Sequence, residues 1–124
     1  MNEGSFIAHV RHHVSLAIID LTGEINSFAE AQLNTAYSAA EVSSPSTIAL
    51  NFTGVTYINS TGIALIVSLL SRARKSHLRL VVFGLSDHYI EIFQITRLAD
   101  FIAIYPDEAS VVASSPKGEL HQAA

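Results

Sequence analysis

Ile48-Ala49-Leu50-Asn51-Phe52-Thr53-Gly54-Val55-Thr56-Tyr57-Ile58-Asn59-Ser60-Thr61-Gly62-Ile63 is the stretch on which the reading of this chain turns. With Thr47 before it, the run to Phe52 is short, mostly apolar and partly β-branched or aromatic, the pattern of a strand covered on both faces. Gly54 is expected to break that strand. A helix follows from about Thr61 to Lys75, with Ile63, Ile66, Val67, Leu70 and Ala73 on one stripe at helical spacing. Between strand and helix lies a link rich in hydroxyl and amide side chains.

Outward from this unit the same alternation continues. Upstream, the runs Ser5 to Val10 and Val14 to Leu21, separated by Arg11-His12-His13, predict a hairpin. Ser27 and Glu30 have the spacing of a reciprocal capping pair, so a helix is expected from there. Its apolar positions are Ala29, Leu33, Ala36, Tyr37 and Ala40, and Ser43-Ser44-Pro45 ends it. Downstream, Leu78 to Phe83 reads as a buried strand stopped by Gly84. Asp87 to Thr96 reads as a helix turning Ile90, Phe93 and Ile95 or Ile92 inward. Phe101 to Tyr105 is a further strand, and Asp107 caps a short helix through Ala113. The alternation predicts an α/β fold: a mixed, mostly parallel sheet of about five strands with about four helices, the opening strand antiparallel at an edge. One domain is expected over residues 1–113, with a frayed tail over 114–124.

Composition narrows the function classes. The 124 residues fit one domain able to build its own core. The longest apolar stretch, Ile63 to Leu70, is interrupted by Ser68 and is well short of the ~20 residues that cross a bilayer. Met1-Asn2-Glu3-Gly4-Ser5 has neither the basic cluster nor the apolar core of a signal peptide, so a cytoplasmic protein with no direct membrane insertion is expected. The absence of cysteine excludes disulfides, thiolate metal sites and a cysteine nucleophile. A net charge of −4 argues against a broad nucleic-acid footprint. The dense basic group Arg72, Arg74, Lys75 and Arg79 sits where a helix ends and favours the negative end of its dipole.

In open α/β sheets the functional crevice lies beyond the carboxyl ends of the strands, which directs attention to the segment after Phe52. Asn59 or Ser60 can cap the helix, worth about 1 kcal/mol. Capping leaves Gly62 unexplained, since Gly in a first turn costs roughly 0.5–1 kcal/mol against Ala; close approach to the backbone is one reason to keep it. Thr61, Ala64, Ser68, Ser71 and Lys75 form a face of small or polar side chains, with Leu65 and Leu69 at its margin. That face suits docking of a protein, and the leucines equally suit a wider core contact; the pattern leaves both open. No histidine among His9, His12, His13, His77, His88 and His121 stands in a motif with Ser60 or Thr61, and there is no nucleophile elbow or P-loop, so no catalytic residue is assigned. A metal across His9, His12 and His13 is less consistent with their setting than a solvated turn. Asp20, Glu24 and Glu30 read as capping and solvating residues, so no metal or cofactor is expected.

The run Ile48 to Ile63 resembles the signature of STAS domains, an apolar strand followed by an Asp-Ser-Ser-Gly-Leu-like sequence opening a helix. Leu21-Thr22-Gly23-Glu24-Ile25-Asn26 resembles the family's upstream Gly-Glu-hydrophobic-Asp segment. Leu80-Val81-Val82-Phe83-Gly84, Ile95 to Ile102 and Asp107-Glu108-Ala109 fall in the expected order, so the likeness spans about Val14 to Val112. The resemblance implies a single STAS-type domain acting as an anti-sigma factor antagonist. Such a protein binds an anti-sigma factor that is also a serine/threonine kinase, is released by phosphorylation at Thr61 or, second, Ser60, and is reset by a serine/threonine phosphatase. The implied partner-binding residues are Asn26, Asn59, Ser60, Thr61, Gly62, Ala64, Leu65 and Ser68, on a monomer or weak dimer. Asn59, Asn26 and Asn51 stand where the family carries acidic residues. These asparagines keep a second expectation open, a STAS module serving as scaffold or regulatory subunit in a stress, biofilm, motility or transporter assembly.

Overall fold

Eleven elements succeed one another in the computed structural model, which describes residues 5–114. They are β1 (Ile7–His13), β2 (Leu16–Ile25), a 3₁₀ turn (Ser27–Ala29) leading into α1 (Glu30–Glu41), β3 (Thr47–Ile58), α2 (Ser60–Lys75), β4 (Arg79–Phe83), α3 (Asp87–Ile95), a second 3₁₀ turn (Leu98–Asp100), β5 (Ala103–Tyr105) and α4 (Glu108–Ala113). The five strands lie in the sheet in chain order, β1 antiparallel to β2 and every later pair parallel. Crossovers of one hand that always step the same way must leave their helices on one face. Accordingly Ala29 of the first 3₁₀ turn, Leu33, Ala36, Tyr37 and Ala40 of α1, Ile66, Leu69 and Ala73 of α2 and Phe93 of α3 share a core with Ile19, Leu21, Ile48, Leu50, Leu80 and Val82 of the strands. The other face is covered more thinly, with Val111 of α4 packed on Leu16, Ile18, Ala49, Val81 and Phe83. The expected tail lies, past Ser114, outside the described residues, as do residues 1–4.

Several local expectations are corrected. Arg11, His12 and His13 belong to β1, and the chain reverses at Val14-Ser15, with Ser15 at φ 62°. Ser carries no strong signal for that left-handed position; the Ser15 carbonyl is pinned by the N–H groups of Ser46 and Thr47 and by Ser46 Oγ. At α1 the Ser27–Glu30 pair gives way to Asn26, whose Oδ1 accepts from Phe28 N–H at 2.9 Å. Gly54 does not end β3. The strand runs on to Ile58 against a lengthened β2, accommodating two bulges at which the β3 side carries an extra residue. A Cβ at Gly54 would lie 3.0 Å from the Leu21 carbonyl oxygen, so glycine suits the bulge by its lack of a side chain. β5 begins at Ala103, later than expected, because Phe101 caps the second 3₁₀ turn, its N–H donating to the Leu98 carbonyl at 3.0 Å, and stays exposed. In α3 Phe93 is buried, Ile90 and Ile92 are half-buried and Ile95 faces solvent.

Candidate functional site

β2 and β3 outrun the rest of the sheet. β4 ends with Phe83 opposite Asn51, whereas β2 and β3 stay paired as far as Ile25 and Ile58. Asn59 N–H extends that ladder by donating to the Ile25 carbonyl at 3.2 Å. Asn59 is then extended and its Oδ1 accepts from Gly62 N–H at 2.8 Å, while its carbonyl takes the first helical bond, from Ile63 N–H. Ser60 and Thr61 are thus the first two residues of α2. Both are exposed, and among the described residues neither hydroxyl has a hydrogen-bond partner.

Gly62 is buried because the first turn of α2 is seated on the end of β2. A Cβ there would stand 2.1 Å from the Ile25 oxygen and 2.9 Å from Ile58 Cγ2, so the close approach is made by the chain's own backbone. The rest of α2 is rolled slightly from the expected stripe. Leu69 is buried, Leu65 is half-buried against the core, and Val67 is 45% exposed. Thr61, Ala64, Ser68, Ser71 and Lys75 all face solvent, joined by Val67. Of the residues singled out from sequence, Ser60, Thr61, Ala64 and Ser68 therefore share an open face, whereas Gly62 and Leu65 turn toward their own chain. Half-buried Asn59 and Asn26 are occupied as caps; Asn26 also donates to Glu24 at 3.4 Å. The 3₁₀ turn after Asn26 packs beside α2 and carries Phe28, 70% exposed. Phe28, Tyr57 and Val67 are exposed apolar groups that periodicity missed, because each sits in a turn, on a bulged strand or on a helix rolled by a fraction of a turn.

A second polar cluster lies on the thinly covered face. Arg11 Nε and Nη2 donate to the two oxygens of Asp20 at 2.7 and 3.0 Å, and Nη1 and Nη2 donate to Glu108 at 3.1 and 2.8 Å. Hydrogen bonds from Arg11 hold the Glu108 carboxyl below its ordinary range. Burial pushes Asp20 upward, but the bonds from Arg11 and from Asn51 outweigh it and the net shift is down. Asn51 Nδ2 donates to Asp20 at 2.7 Å while its Oδ1 accepts from the N–H and hydroxyl of Thr53. An aspartate at 51 would set a second carboxylate against Asp20, which accounts for the amide here. The basic residues near the end of α2 are engaged internally: Arg72 stacks on Tyr37 and pairs with Glu41, and Arg74 and Arg79 lie over Phe101 and Tyr105. No group of three metal-ligating side chains occurs among the described residues.

Fold and site together define a mostly parallel α/β domain that presents uncharged hydroxyls at the start of its second helix, beyond the carboxyl ends of its strands. The chain belongs to the STAS domain family, whose model matches residues 7–111. It is 33% identical over 86 residues to the anti-sigma-B factor antagonist of Listeria monocytogenes, covering 69% of this chain and 75% of that protein, and equally to that of Listeria innocua. The fold superimposes on an anti-sigma factor antagonist from Mycobacterium paratuberculosis with a TM-score of 0.77, at 18% identity over 90% of this chain and 94% of the other. It also matches the Bacillus cell-fate determinant SpoIIAA in its phosphorylated form, with a TM-score of 0.66 at 19% identity over 86% and 97% of the two chains. At such identities these structural matches are matches of fold.

Proposed function

We propose that this protein is an anti-sigma factor antagonist of the cytoplasm, a binding switch without enzymatic activity of its own. It docks an anti-sigma factor through the open face of α2 and is released when a serine/threonine kinase, the same partner, phosphorylates Thr61 or Ser60. The observation that carries the reading is the pair of exposed, unpartnered hydroxyls at the first two positions of α2, leading onto a face of small side chains. A phosphate adds roughly −1.5 to −2 charges. At a helix start the free N–H groups and the dipole favour an anion, so the fold tolerates it. The same group inside a docked interface is desolvated against the partner and drives the two apart. A serine/threonine phosphatase resets the switch.

The test is incubation of the chain with ATP and the anti-sigma-type kinase encoded in the same genome, followed by mass spectrometry. Phosphate on Thr61 or Ser60 is expected, with Thr61→Glu weakening the complex at least tenfold, about 1.4 kcal/mol, at nearly unchanged thermal stability. Unmodified hydroxyls and an unchanged affinity in calorimetry reject the reading. The asparagines at 26 and 59 favour one alternative, a STAS scaffold or regulatory subunit that is never phosphorylated, and that negative result is its signature.

A further inference from the structure

We infer that Tyr89 of α3 is a positioning residue for the Asn59–Gly62 turn, holding the corner that displays Ser60 and Thr61. Successive N–H groups of a strand point to opposite sides. Asn59 N–H points to β2, where it meets the Ile25 carbonyl, so Ile58 N–H points to the side that β4 would occupy. β4 has already ended, with Phe83 opposite Asn51. Ile58 is 5% exposed, so its N–H would be left buried without a partner were it not for Tyr89 Oη, which accepts it at 2.9 Å. One hydroxyl thus stands in for a missing strand at the residue immediately before the helix cap. Tyr89 is itself fixed: its N–H donates to Ser86 Oγ at the start of α3, its ring packs on the main core, and His88 lies edge-on to it with centroids 4.8 Å apart. Any shift of α3 is therefore transmitted to the turn through a single bond, and any strain placed on the turn reaches α3.

The role of Tyr89 as a device of the switch rests on the function proposed above; the positioning itself is read without a partner. The full chain is compared with Tyr89→Phe, which removes only the hydroxyl, and with Val111→Ala, which weakens packing on the opposite face. Amide exchange and resonance positions are followed by nuclear magnetic resonance, with thermal midpoints recorded for all three. Tyr89→Phe is expected to speed exchange at Ile58 at least tenfold and to move the Asn59–Gly62 resonances, whereas Val111→Ala leaves both in place even where it lowers the midpoint as much. Unchanged exchange at Ile58 in Tyr89→Phe, or an equal response to Val111→Ala, overturns the inference. Where the kinase phosphorylates the wild-type chain, its rate on Tyr89→Phe should fall at least threefold with Val111→Ala unaffected, and equal rates also overturn it. Where the kinase leaves the wild type untouched, the function proposed above fails and the resonance data alone decide the positioning role.

Discussion

The two polar clusters of this domain are built on opposite principles. On the thinly covered face Arg11 is held by Asp20 and Glu108, charge against charge, each carboxylate bridged by two N–H donors. At the β3–α2 corner Asn59, Ser60 and Thr61 carry no charge, and the backbone is satisfied by Asn59 itself, by the end of β2 and by Tyr89. The first cluster ties the edge strand β1 and the six-residue α4 to β2. The second leaves two hydroxyls free on a rigid seat. Fastening consumes charge, whereas on the function proposed above a surface that is to receive an anion is kept neutral.

If the corner is a rigid seat, the most damaging change is the one that lifts α2 off it. Gly62→Ala places a methyl 2.1 Å from the Ile25 carbonyl oxygen, backbone that can yield only by separating the first turn of α2 from β2. A loss of about 3 kcal/mol is expected, lowering the thermal midpoint by about 10 °C. Calorimetric melting measures it, and a loss below about 1 kcal/mol would mean that the seat is soft. The fastening cluster should matter less. Arg11, Asp20 and Glu108 keep about 34%, 25% and 36% of their side-chain surface in water, which screens the pairs. Arg11→Met is expected to cost roughly 1–2 kcal/mol and, on the function proposed above, to leave the kinase reaction at Thr61 unchanged.

The pH dependence of that cost has a definite sign. Asp20 and Glu108 bind protons more weakly folded than unfolded, so the unfolded chain takes up more protons in acid. Their contribution is complete above the ordinary carboxylate range, near pH 4, and is lost as pH falls through their lowered folded values. Arg11, raised by the same hydrogen bonds, stays charged throughout. His9 acts electrostatically on Asp20 and His13 on Glu108, both in the same direction as Arg11. The difference in melting temperature between wild type and Arg11→Met should therefore be full at pH 7 and shrink below about pH 4. A constant difference down to pH 2 would show that Arg11 acts through packing of its stem.

What could be read from sequence was whatever repeats. The helical spacing of Leu33, Ala36, Tyr37 and Ala40 and the apolar runs around Leu50 and Val82 located α1, β3 and β4, and with them a mostly parallel sheet with its opening strand antiparallel at an edge. The motif Asn59-Ser60-Thr61-Gly62 located the corner. Features that depend on partners distant in the chain were not legible. Gly54 signals a break in local terms, and only pairing with β2 across two bulges carries the strand on to Ile58. Ser27 and Glu30 had the spacing of a capping pair, but Asn26 one residue earlier took the position. Val67 and Leu69 are equally apolar, and which of them is buried depends on how Gly62 seats the helix. Nothing near Tyr89 announces that its hydroxyl will close a strand 31 residues earlier.

The smallest effect tests neutrality itself. Asn59→Asp retains the oxygen that accepts from Gly62 N–H and adds a negative charge at the helix start, a change that the dipole favours. Above pH 4 stability should rise by about 0.5 kcal/mol, a shift of about 2 °C in the thermal midpoint, and the gain should vanish once the carboxyl is protonated. The same carboxylate stands beside the two hydroxyls, where it repels an incoming phosphate and competes for the N–H groups that would receive it. Phosphothreonine at 61 should therefore be less well accommodated: Asn59→Asp should remove, by at least a few tenths of a kcal/mol, whatever stability phosphorylation confers on the wild-type chain. A phosphorylated Asn59→Asp chain that melts above both of its parents would show that the corner carries more donor capacity than an uncharged cap requires, and the neutrality of residue 59 would then owe nothing to the anion.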